Sequence, residues 1–204
     1  MIGVLNYGIG NVGSIKNMLI KAGEHNVEFV DRPEGMIEAD KIILPGVGSF
    51  DMGIKLLEES GMREELDRQA RVIKKPILGI CLGMQMLGTG SEEGKREGLG
   101  YMDFRCKKFE YRDMKLKIPH MGWDYVYTEK NDALMSKLGD RPRFYFVHSY
   151  HVCCEHEEDI LLKCDYGYEF AAAVHRDNIY GTQFHPEKSH MFGMKLMKWF
   201  IEEI

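Results

Sequence analysis

Two short stretches of this sequence carry side chains able to do covalent chemistry. Gly79-Ile80-Cys81-Leu82-Gly83 has the form Gly-x-nucleophile-x-Gly, with a thiol in the nucleophile position. His185-Pro186-Glu187 offers an imidazole and, two residues on, a carboxylate near enough to orient it. Together they describe acyl transfer: a thiolate attacks a carbonyl carbon, the imidazole moves the proton, and the carboxylate selects the tautomer and stabilises imidazolium. Each stretch alone also has a plainer reading. Cys81 can be a buried structural cysteine between incidental glycines, and His-Pro-Glu a turn with a surface carboxylate.

Such chemistry requires particular supports. The aliphatic run 76–80 reads as a buried strand and 82–87 as the helix after it, so Cys81 would sit on a sharp strand-to-helix turn. The positive end of that helix favours the thiolate, and the Leu82 N–H would face a developing oxyanion. Pro45-Gly46-Val47-Gly48 follows a second strand, 41–44, with a helix expected near Asp51. An N–H near Val47 or Gly48 would supply the second oxyanion donor. In an open parallel sheet, sites form outside the carboxyl ends of strands, where both loops would lie. Of eight histidines, only His185 follows a strand-like segment and is fixed by a proline and a nearby acid.

The first half alternates aliphatic runs with helical spacing, the pattern of a parallel sheet covered by helices. Residues 2–6 read as a strand and 27–30 as a weaker one. Ile15, Met18, Leu19 and Ala22 share one helix face, as do Met62, Leu66, Ala70 and Ile73. From 101 to 183, short aromatic and β-branched segments predict antiparallel strands. A last helix from about Met191 would bury Phe192, Leu196, Trp199 and Phe200. No linker or repeat divides the chain, so one domain over 1–204 is expected.

A hydrophobic fraction of 44% excludes disorder as a description of the whole. The net charge of −5, without a basic block, speaks against nucleic acid. No apolar run approaches the roughly 20 residues of a membrane span, and no leader pattern follows Met1, which points to the cytoplasm. Five cysteines, Cys81, Cys106, Cys153, Cys154 and Cys164, form no C-x-x-C pair and argue against a disulfide framework.

The joint pattern resembles the class I, or triad, glutamine amidotransferases. Asn6-Tyr7-Gly8, Pro45-Gly46-Val47-Gly48-Ser49-Phe50, the elbow, Pro119-His120-Met121-Gly122-Trp123 and Phe184-His185-Pro186-Glu187-Lys188-Ser189 narrow it. They look like the glutaminase subunits of imidazole glycerol phosphate synthase, and the likeness spans nearly the whole chain. The resemblance implies a flavodoxin-like three-layer α/β sandwich, with a parallel central sheet and an antiparallel C-terminal extension. It implies glutamine hydrolysis to glutamate and ammonia, with Cys81 as nucleophile, His185 as base and Glu187 as its orienter. Val47, Gly48 and Leu82 would form the oxyanion hole, and Gln85 and Glu93 would hold glutamine. A heterodimer with a (β/α)₈ cyclase is implied, contacted through Asn11, Trp123, Asp124, Tyr150 and Lys188. Ammonia would pass to that partner for imidazole glycerol phosphate and AICAR synthesis in histidine biosynthesis. Neither metal nor organic cofactor is required.

Two positions depart from the family pattern. Asp124 stands where asparagine is usual, and His190 with Phe192-Gly193-Met194 resembles paralogues that supply ammonia to sugar amidation in surface-polysaccharide synthesis. Other classes compete. Gly8-x-Gly10-x-x-Gly13, with Asp31 about 20 residues on, has the form of a dinucleotide fingerprint and so of an NAD-dependent oxidoreductase. His148, His151, Cys153, Cys154 and His156 crowd together, but neighbouring strand residues face opposite ways and the spacing is not that of a zinc site.

Overall fold

The computed structural model describes residues 1–110, 117–130 and 133–204. In chain order the elements are β1 (Ile2–Leu5), α1 (Val12–Ala22), β2 (Val27–Val30), α2 (Pro33–Glu38), β3 (Lys41–Gly46), α3 (Phe50–Glu59), α4 (Arg63–Arg68), β4 (Ile77–Cys81) and α5 (Leu82–Met86). There follow β5 (Gly90–Ser91), β6 (Phe104–Lys108), β7 (His120–Tyr125), α6 (Ala133–Leu138), β8 (Arg143–His148), β9 (Tyr150–Cys154), β10 (Ile160–Asp165), β11 (Glu169–Arg176), β12 (Ile179–Thr182) and α7 (His190–Glu203).

The main sheet runs β2-β1-β3-β4-β12-β11-β9-β6-β5, with β10 on β11; β7 and β8 form a separate antiparallel ribbon. From β2 to β12 all pairings are parallel. β1, β4 and β12 are buried along their whole length, and β1 and β4 accordingly read as aliphatic runs. The two-residue alternation divides β3 between two cores. Ile43 faces α1 and α7, whereas Ile42 and Leu44 face the layer of α2, α3, α4 and α5. No helix among the described residues is long and apolar enough to cross a membrane.

Three expectations need correction. α4 passes into a π turn, Gln69–Ile73, whose wider spacing buries Ala70 but leaves Ile73 44% exposed. In α7 Met197 takes the fully buried place, and Phe192 only packs at the margin. β12 is antiparallel to β11 but parallel to β4, so it completes the parallel core. That return brings the end of β12 beside the ends of β3 and β4, on the sheet edge where the Cys81 and Gly46 turns lie.

Candidate active site

Cys81 ends β4 and opens α5 with φ +54° and ψ −109°, a backbone state that carries strain of about 1–3 kcal/mol for a side chain other than glycine. Close packing holds it there. A Cβ on Gly83 would lie 1.9 Å from the Leu44 carbonyl oxygen, and one on Gly79 would lie 2.7 Å from the Gly83 oxygen. The two glycines let the elbow sink against β3 and against its own helix.

His185 follows β12 and is fixed from several sides. Its N–H donates to Tyr145 O at 2.9 Å, and Ser189 Oγ donates to its carbonyl at 2.6 Å while accepting from Tyr145 N at 3.0 Å. The ring Nδ1 lies 2.8 Å from Glu187 Oε1, with the two side chains 2% and 1% exposed. Nδ1–H therefore donates to the carboxylate, and Nε2 is left for the thiol. Burial pulls the imidazole pKa down, but hydrogen bonds with Cys81 and Glu187, and their charges, outweigh it and leave the pKa raised to about 9.

Cys81 and His185 meet at a cleft of about 440 Å³. Val47, Gly48, Leu82, Gln85 and Glu93 line the same cleft, as do Tyr150 and Lys188. Val47 is 40% exposed, and Gly48 takes φ +95° with open space where a Cβ would be. Glu93 is partly engaged: its Oε2 accepts from Phe50 N at 2.8 Å and caps α3, whose own Ser49 makes no side-chain cap.

Residues 4–204 match the family glutamine amidotransferase class-I. The chain belongs to the class-I glutamine amidotransferases. It is 51% identical over 203 residues to "Imidazole glycerol phosphate synthase subunit HisH 2" of Methanococcus maripaludis, with 100% of each chain covered. To the protein of the same name from Pseudomonas aeruginosa it is 48% identical over 202 residues, covering 99% of each. Among solved structures, a glutamine amidotransferase superposes with a TM-score of 0.77 at 19% identity, over 98% of this chain and 97% of that one. PurLQS from Thermotoga maritima gives 0.70 at 21%, over 98% and 95%. These two likenesses speak for the fold.

Family membership removes the oxidoreductase reading, and this amidotransferase uses the glycines of its first loop for something else. Gly8 and Gly10 take φ +97° and +102°, and a Cβ on Gly10 would meet Pro45 Cβ at 2.9 Å. Tyr7 OH donates to Pro45 O at 2.5 Å. The loop after β1 thus props the loop after β3. Of the His/Cys cluster, His151 Nδ1 lies 3.8 Å from Cys153 Sγ. His151 turns toward Tyr168 OH at 3.1 Å, and among the described residues no three His, Cys, Asp or Glu side chains form a metal-binding group.

Three of the positions expected to meet a partner lie outside the cleft. Asn11 caps α1 through Ser14 N. Trp123 stacks on His190 with ring centroids 5.3 Å apart. Strand alternation leaves Met121, Trp123 and Tyr125 exposed and turns Asp124 to the other face, where its carboxylate lies 3.3 Å from His120 Nε2.

Sequence reasoning assigned no role to three side chains that build this site. Ser189 ties the His-Pro-Glu turn to β8, as above. Asp51, in the first turn of α3, accepts from the backbone N–H groups of Lys95 and Arg96 at 3.0 Å, which anchors the loop bearing Glu93. Gln183, fully buried, lies with Nε2 3.8 Å from Cys81 Sγ. Asp at the start of a helix reads as a cap, but Asp51 instead holds a loop 44 residues on, which the sequence does not signal. A glutamine at a strand end gives no signal either.

Proposed function

We propose that this chain hydrolyses glutamine to glutamate and ammonia at Cys81, and that the ammonia passes to a (β/α)₈ cyclase subunit making imidazole glycerol phosphate and AICAR in histidine biosynthesis. The observation that carries this reading is the buried imidazole of His185, held at 2.8 Å by Glu187 and lining with Cys81 one cleft wide enough for an amino acid. The full-length relatives, named as subunits of imidazole glycerol phosphate synthase, support the pathway.

The Cys81 thiolate attacks the carboxamide carbon, and the oxyanion is met by N–H groups of Leu82 and of the Val47–Gly48 loop. Imidazolium His185 gives its proton to the departing nitrogen, and ammonia leaves. Water then adds to the glutamyl thioester, giving its proton to the same imidazole, and the thiolate is restored with glutamate. Gln85 and Glu93 hold the amino acid, the carboxylate of Glu93 facing the substrate ammonium. Asn11, Trp123, Asp124, Tyr150 and Lys188 belong to the partner side of this reading. The five free cysteines fit a reducing cytoplasm, and the continuous sheet fits a single domain over 1–204.

The test is glutamate release from glutamine, alone and with a histidine-pathway cyclase subunit carrying its nucleotide ligand. The expected result is strong stimulation, abolished by Cys81→Ala and kept by Cys153→Ala. Turnover that ignores the cyclase would keep the Cys81 chemistry and move the partner to a sugar-amidating system. No glutamate from either mixture overturns the reading.

A further inference from the structure

We propose that Gln183 is a further catalytic residue, whose amide N–H holds the Cys81 sulfur in its anionic form and in place on the cleft. This rests on Cys81 being the nucleophile.

The direction of a buried chain of hydrogen bonds fixes which atom of Gln183 meets the sulfur. The chain begins at Tyr150 O, a backbone carbonyl, which can only accept. Gln85 lies 3.0 Å from it and must therefore present its amide nitrogen there. The same nitrogen lies 3.1 Å from the side-chain oxygen of Gln183. With its oxygen committed to Gln85, Gln183 has its NH₂ toward Cys81 Sγ, at 3.8 Å. Turning the Gln183 amide over would set two donors against each other. His148 Nδ1, 2.8 Å from Tyr150 O, donates to the same carbonyl and leaves no lone pair that would reward a rearrangement.

The surroundings make this contact matter. Gln183 is 0% exposed, so water does not compete for its N–H. In such a place a donor aimed at an anion is worth more than in solvent. Burying an amide is also costly beside an apolar side chain of equal volume, so its presence at the nucleophile calls for a compensating contact. His185 then serves the sulfur as a proton carrier, and Gln183 as a fixed donor at 3.8 Å.

The discriminating variants are Gln183→Glu, which keeps the acceptor for Gln85 but sets a carboxylate against the sulfur, and Gln183→Met, which fills the volume with no donor. Alkylation of Cys81 by iodoacetamide is followed across pH in the full-length chain, with peptide mass spectrometry to separate it from the half-buried Cys153 and Cys154. We expect the midpoint of the Cys81 profile to move up by about one pH unit in Gln183→Met, and further in Gln183→Glu. At neutral pH kcat should fall roughly tenfold, the weight of one hydrogen bond to a charged group, with KM for glutamine nearly kept in Gln183→Glu. A residue that only packs would lower the melting temperature and leave the alkylation midpoint unmoved. That result overturns the proposal, and if one variant fails to fold the other decides. Cys81→Ala separates the two readings. Residual glutaminase activity there removes the nucleophile itself, whereas a dead Cys81→Ala beside unmoved Gln183 profiles removes only the role of Gln183.

Discussion

At the scale of the residue, His185 shows how a buried ionisable group is held in the state that chemistry needs. Desolvation alone would make it a weak base. Its contacts with Cys81 and Glu187 reverse that and raise its pKa to about 9, above the ordinary 6.5. A histidine bound more tightly to its proton in the folded chain stabilises the fold fully below pH 6.5, and the contribution is lost as pH rises through 9. His185→Asn should therefore be less stable than the parent at pH 6, and urea midpoints of the two should converge by pH 9.5. A difference that stays constant with pH would remove this account. Glu187→Gln tests the orienter at the same site. The amide cannot stabilise imidazolium, and it accepts from or donates to Nδ1 without selecting a tautomer. Turnover should fall roughly 10²–10⁴-fold, as for other general-base sites, with KM for glutamine little changed.

At the scale of the element, the site depends on loops that lean on one another. Glu93 caps α3 through Phe50 N, and Asp51 in α3 returns the contact by holding Lys95 N and Arg96 N. The backbone between them is tight, since a Cβ on Gly94 would lie 1.9 Å from Asp51 Oδ1. Asp51→Ala should free the Glu93 loop and raise KM for glutamine about tenfold, while kcat at saturation falls by less than half that factor, because one or two hydrogen bonds to a carboxylate are removed far from the sulfur. An unchanged KM would show that the loop is held without Asp51. Legibility in the sequence follows the same division between local and distant causes. β1, β3 and β4 could be read because strands buried on both faces are continuous aliphatic runs, and the elbow because its glycines stand within two residues of Cys81. The π turn after α4 could not, since one added residue per turn leaves no mark on the 3.6 period that nominated Ile73. Nor could the direction of β12, which depends on where the chain re-enters the sheet. Gln183 was silent for a similar reason: its partners, Gln85 and Cys81, stand 98 and 102 residues before it.

At the scale of the whole molecule, the core on the α1 and α7 side extends into a box of rings that includes histidines. Phe109 lies 4.7 Å from His151 and 5.2 Å from His148 between ring centroids, and His120 stacks on Phe146 at 4.7 Å and on Tyr166 at 3.9 Å. Burial is the largest influence on all three. It lowers His120 to about 4 against the opposing pull of Asp124, lowers His148 well below the ordinary value, and lowers His151. All three are neutral at pH 7, and each takes up a proton on unfolding once the pH drops below about 6.5. Their contribution to stability is present above 6.5 and is lost as pH falls toward 4, opposite in sign to that of His185. The two windows meet near pH 6.5 to 7, where stability should peak. Asp40, Asp51 and Asp103, whose pKa values are lowered by hydrogen bonds and neighbouring cations, release their contributions only below about 3.8, so they do not blur the upper window. The urea midpoint should therefore decline between pH 6.5 and 4.5. His148→Phe, which keeps a ring in the box but removes both the unpartnered buried Nε2 and the Nδ1–H bond to Tyr150 O, should flatten that decline, whatever it costs at pH 7. A slope unaltered by His148→Phe would assign the acid sensitivity to His120 and His151, and a midpoint flat from 6.5 to 4.5 in the parent would mean that none of the three is the trigger.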